Sequence, residues 1–123
     1  MSELNNQQML FIGNELIAAV KNIFPQHAEF ESRYSSWAFE STIFWKLNNS
    51  ANRPNKPSRI ILIIIPKEAI MDANYEQRKL AVHEQFKKYI QSRYDKFNPN
   101  HEEAPDQAPP VEKWLITHDI LCV

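Results

Sequence analysis

Glycine is nearly absent, with Gly13 the only one in 123 residues. Phosphate-cradling loops, dinucleotide-binding turns and the KH-type clamp each need several glycines close together, to turn tightly or to let a backbone approach phosphate. None of them can be written in this chain. Cysteine is equally scarce. Cys122 stands alone, which excludes an intrachain disulfide framework and fits a reducing compartment, so a cytoplasmic location is expected. No apolar run approaches the roughly 20 residues of a membrane span, and the N-terminal MSELNNQQ lacks the basic start and apolar stretch of a secretory signal. No membrane partner is expected.

Clustered metal ligands are missing as well. The four histidines are dispersed at His27, His83, His101 and His118, and only HDILC, 118–122, groups His118, Asp119 and Cys122. A metal site needs three or four ligands of fixed geometry. The carboxylate pairs Glu29/Glu31 and Glu102/Glu103 read as solvated positions rather than as an acid and a base whose environments set their pKa values apart. No metal, cofactor or catalytic residue is assigned, and an enzyme is not the expected class.

What is present bounds the rest. The length suits a single domain over 1–123, and 43% apolar residues exclude disorder. The net charge of −1 hides an asymmetry. Residues 51–97 hold ten Lys/Arg against five Asp/Glu, whereas both flanking segments are acidic.

Met9, Ile12, Leu16, Val20 and Ile23 form a helical stripe, widened by Leu10, Phe11, Ile17 and Phe24, in a helix predicted over 2–24 with Ser2 as cap and Pro25 as stop. Gly13 inside it implies a close packing contact or simple tolerance. AEFESRY, 28–34, alternates as a short strand. WAFESTIFWKL, 37–47, alternates more firmly, with Trp37, Phe39, Ile43, Trp45 and Leu47 on the dry side and Thr42, Phe44 and Lys46 on the other. The Asn/Pro-rich 48–58 is a loop, RIILIIIP, 59–66, a strand, and a second helix starts at Asp72 or Asn74. Its buried side is Leu80, Val82, Phe86, Tyr89, Ile90 and Phe97. A proline-rich connection at 98–110 leads to a last strand from Val111 through Thr117 that is expected to run on to Ile120. The order α-(β)-β-β-α-β predicts an α+β domain: a three- or four-stranded, mainly antiparallel sheet packed with two helices.

The isoleucine strand poses the functional question, because neighbouring side chains on a strand point to opposite faces and both faces here are greasy. Arg59 and Lys67 flank the parity of Ile61, Ile63 and Ile65, which marks that set as the outer one, together with Phe44. Leaving four such side chains in water forgoes roughly 1.5–3 kcal/mol each. Helices on both faces, the 98–110 loop folded across, or a partner would cover them. The expected function is a non-catalytic binding protein that self-associates, or meets another protein, through Phe44, Ile61, Ile63 and Ile65. The alternatives are a weak nucleic-acid or anion-binding module using Arg53, Lys56, Arg59, Lys87 and Lys88, and a small-molecule pocket between the sheet and the 98–110 loop. Trp37, Trp45, Trp114, Phe39 and Phe44 do not spell an RNA-stacking motif, and most of these rings share the dry parity, where core packing is expected.

Overall fold

The computed structural model describes residues 5–35, 37–47, 56–98 and 111–121, with the backbone alone for Leu47, Lys56 and Pro57. The predicted Ser2 cap, Arg53 with the loop at 48–55, the 99–110 part of the proline-rich connection, and Cys122 lie outside these residues.

Helix α1 covers Asn6–Val20, and its cap is Asn5. The Asn5 carboxamide accepts from the Gln8 backbone N–H at 2.8 Å, and the Gln8 side chain accepts from the Asn5 N–H at 2.9 Å. Each satisfies a donor that the first helical turn leaves open. A 3-10 turn, Lys21–Ile23, follows, just ahead of Pro25. Strands β1 (Glu29–Tyr34) and β2 (Ala38–Phe44) come next; β3 (Lys46–Leu47) pairs with β4 (Lys56–Pro57) as a short ladder leading into β5 (Ile60–Pro66). Helices α2 (Lys67–Asp72) and α3 (Lys79–Asp95), strand β6 (Val111–Leu115) and the short helix α4 (His118–Leu121) complete the described chain. The main sheet has the order β1-β2-β5-β6. Its first three strands are antiparallel, while β6 runs parallel to β5. A parallel neighbour requires a long crossover, and α2 and α3 fall within it.

The α+β architecture and its element order are those predicted from the sequence; three local details differ. Asn74 does not open a helix with Gln77. It sits in the left-handed region at φ 54°, and its carbonyl accepts from Gln77 and Arg78, so α3 begins only at Lys79. Leu80, predicted buried, is therefore on the wet side and 83% exposed. At the other end the chain does not stay extended to Ile120: after Ile116 donates to the Ile64 carbonyl, it turns into α4 and buries Leu121.

The largest correction concerns the isoleucines. Ile61, Ile63 and Ile65 are fully buried, and Ile60, Leu62 and Ile64 occupy the other face. Two contacts show that both long helices lie on the Ile61/Ile63/Ile65 side. Gly13 of α1 meets Phe39 of β2, and Arg93 of α3 lies 5.7 Å from the ring centre of Trp114 of β6. Phe39 pairs with Ile65, and Trp114 with Ile63, so both rings share the isoleucine face. Phe39, Trp45 and Trp114 are core residues, whereas Trp37, one residue ahead of β2, is 54% exposed.

Gly13 is there for contact. A Cβ on it would lie 2.6 Å from Cε2 of Phe39 and closer still to Cγ and Cδ2 of that fully buried ring. Gly13→Ala gains about 1 kcal/mol of helix propensity. It also forces a ring with no free space to shift, an overpacking cost of about 1–3 kcal/mol. The expected outcome is a lower urea midpoint, where an exposed helical glycine would show a higher one.

Candidate functional site

The face of the sheet turned away from the helices carries a contiguous set of apolar groups that lie outside the hydrophobic core. Its side chains fall into three rows set by strand register. Arg33, Glu40, Ile64 and Leu115 form one, and Glu31, Thr42, Leu62 and Lys113 the next. Continuing the β2–β5 register one pair beyond Ile43 and Ile61 places Glu29, Phe44, Ile60 and Val111 in the third. The centre is apolar: Phe44, Ile60, Leu62 and Ile64 are half-buried by their neighbours, and Val111 and Leu115 on the edge strand remain 49% and 48% exposed. None of these six belongs to the hydrophobic core cluster or packs against it.

The unpaired charges lie at the margins, and the one carboxylate on an inner strand, Glu40, is held by Arg33. Glu29 and Glu31 lie on β1 at one edge and Lys113 on β6 at the other. Arg33 is neutralised by Glu40 across the strand pair at 2.7 Å. Among the described residues no ion pair involves Glu29, Glu31 or Lys113. Charges at sheet edges discourage uncontrolled strand addition, while the middle of this face has no such protection.

Of the residues assigned to this face from sequence, Phe44 is on it. Ile61, Ile63 and Ile65 face the core and are replaced by Ile60, Leu62 and Ile64. The edge positions Val111 and Leu115 went unassigned, although the alternation in VEKWLIT separates Trp114 and Ile116 from them.

Among the described residues, Arg59, Lys87 and Lys88 do not come together as an anion site. Arg59 donates to Glu112 Oε1 at 3.2 Å and to the Asn98 carbonyl at 3.2 Å, with its guanidinium 5.3 Å from the centre of the Phe97 ring. Glu112 Oε2 accepts from Trp114 Nε1 at 2.6 Å. Arg59 thus closes the polar rim of the core. Lys87 and Lys88, on the exposed side of α3, border a groove shared with Glu84 and Asp95, where opposite signs cancel. Arg53 lies outside the described residues, as does the Lys56 side chain. The 98–110 side of the suggested small-molecule pocket is likewise outside, apart from Asn98.

A second polar cluster was not singled out from sequence. The Tyr75 hydroxyl donates to Glu15 Oε1 at 2.7 Å and stands 2.8 Å from His83 Nε2, while Lys79 lies 3.3 Å from Glu15 Oε2. A carboxylate only accepts, so the hydroxyl proton points to Glu15, and His83 donates from Nε2 to the tyrosine oxygen. The Tyr75 hydrogen bond holds the Glu15 carboxyl below its usual range, against the opposing effect of desolvation. Burial, reinforced by Glu15, pushes the Tyr75 phenol up, and burial lowers His83 despite the attraction of Glu15. The groups saturate one another and tie α1 to the start of α3. An open groove of about 440 Å³ beside them is lined by Phe11, Ile12 and the amides of Asn5, Gln7 and Gln8. Through these bonds the cluster latches α1 to the segment that opens α3.

No three His, Cys, Asp or Glu side chains group as metal ligands among the described residues, and none of the helices described is long and apolar enough to cross a membrane. No protein-family model matches the chain, and no curated protein or solved structure matches it.

Proposed function

We propose that the protein works by binding rather than by catalysis, and that the partner at the open sheet face is a second copy of the same chain. The observation that carries this is the apolar centre formed by Phe44, Ile60, Leu62, Ile64, Val111 and Leu115, set apart from the core and flanked by edge charges. Contiguous exposed apolar surface of this kind marks interaction sites. Two such sheets pack face to face about 10 Å apart, as in the halves of a sandwich. A second copy brings the same side chains in the same register, which makes the face its own complement.

Four strands about 4.8 Å apart and five to seven residues long present roughly 20 by 20 Å. That is small beside the roughly 800 Å² per partner of a typical specific complex, so the expected dimer is weak and concentration-dependent. Sedimentation velocity from roughly 1 to 300 µM is expected to show a shift from monomer to dimer. A sedimentation coefficient that stays monomeric over that range overturns the proposal.

A further inference from the structure

We infer that the two copies are related by a two-fold axis running parallel to the strands, so that Lys113 of each faces Glu31 of the other. This rests on the self-association proposed above and specifies its geometry.

Two sheets stacked face to face admit two simple two-fold arrangements. With the axis parallel to the strands, β1 of one copy lies over β6 of the other, and every row stays at its own height. With the axis across the strands, β1 lies over β1 and β6 over β6. The distribution of charge separates them. Glu31, Thr42, Leu62 and Lys113 share one row, negative on the β1 edge and positive on the β6 edge. Under the first arrangement this row meets itself reversed, which brings Glu31 against Lys113, Thr42 against Leu62, and the same contacts again by symmetry. In the two flanking rows Phe44 meets Ile60 and Glu40, held by Arg33 of its own chain, meets Ile64, while Glu29 and Arg33 face Val111 and Leu115 at the rim, so no like charges meet. Under the second, Glu31 meets Glu31 and Lys113 meets Lys113 at the same inter-sheet distance; Arg33 then faces Glu29, but its charge is already matched by Glu40 of its own chain. Like charges in register across an interface are unfavourable and select against that pose.

The rim pairs are reachable. Glu31 and Lys113 are both exposed, neither is engaged in an ion pair among the described residues, and an extended lysine with a glutamate spans the roughly 10 Å between packed sheets. The relative twist of about −30° displaces the middle row least, and both residues lie in it.

Charge reversal tests the arrangement directly. In Lys113→Glu, both rim contacts become Glu–Glu; in Glu31→Lys, both become Lys–Lys. Each variant alone is expected to dimerise about tenfold more weakly than the wild type at low salt, from two reversed exposed pairs. Mixed, they regain wild-type affinity, because every rim contact is again of opposite sign. The double variant E31K/K113E is also expected to self-associate like the wild type, which shows that neither substitution harms the fold. Energy transfer between separately labelled proteins reads each pairing, and high salt should bring them together in strength. If each reversed variant alone instead dimerises like the wild type, and Glu31→Lys pairs with the wild type more tightly than with itself, the axis lies across the strands. If the wild type dimerises but the reversed variants show no pairing preference, the inferred axis is wrong while self-association stands. A wild type that remains monomeric removes both.

Discussion

Ile63→Ala is expected to lower stability by about 2–5 kcal/mol, the range for truncating a fully buried aliphatic side chain, whereas Leu62→Ala, one position away, loses under about 1 kcal/mol when measured on the monomer. Ile63 has no exposed surface and lies between Ser41 and Trp114 in the sheet, facing both helices. Leu62 lies in the open face between Thr42 and Lys113. Alternation alone sets the difference, since both side chains are of similar size and sit at the centre of one strand. Urea unfolding at low micromolar protein keeps association out of the comparison. Equal losses at the two positions contradict the assignment of faces.

Leu62→Asp has the opposite profile, with a modest effect on the monomer and a large one on association. In the arrangement inferred above, each copy places this carboxylate opposite Thr42 of its partner, in the driest part of the interface. Two buried and poorly paired carboxylates at about 2 kcal/mol or more apiece weaken the dimer by about a thousandfold. Sedimentation of the variant at roughly 300 µM is therefore expected to give monomer alone, with an unchanged far-UV circular dichroism spectrum. A dimer as tight as the wild type places the interface elsewhere.

The same strand shows where sequence reasoning succeeded and where it failed. That RIILIIIP asks for burial on two faces follows from the period of a strand; the helices cover one face, and the other is turned away from them. The parity that faces inward is the one flanked by Arg59 and Lys67, although flanking charges ordinarily mark the wet side of a strand. Arg59 instead pairs with Glu112 and lies against the Phe97 ring at the core rim, as a long cationic side chain can when its head finds a partner. Lys67 already belongs to α2, so strand parity no longer applies to it. The helical stripe of α1 was legible because Met9, Ile12, Leu16 and Val20 satisfy a local period. The Glu15–Tyr75–His83 latch was not, because it joins positions sixty residues apart whose meeting depends on how α1 packs beside α3. The late start of α3 likewise escaped a local reading: Asn74 and Gln77 have helix-start spacing, but an asparagine also tolerates the left-handed turn that forms there.

The exposure of individual methyl groups to a soluble paramagnetic probe, followed by NMR as protein concentration rises, tests the self-association of the open face most directly. The methyls of Ile60, Leu62 and Ile64 are expected to relax strongly in dilute solution and to become protected as dimer forms, while those of Ile61, Ile63 and Ile65 stay protected throughout. Relaxation of Ile60, Leu62 and Ile64 that does not change with concentration, alongside a dimer seen by sedimentation, contradicts the account.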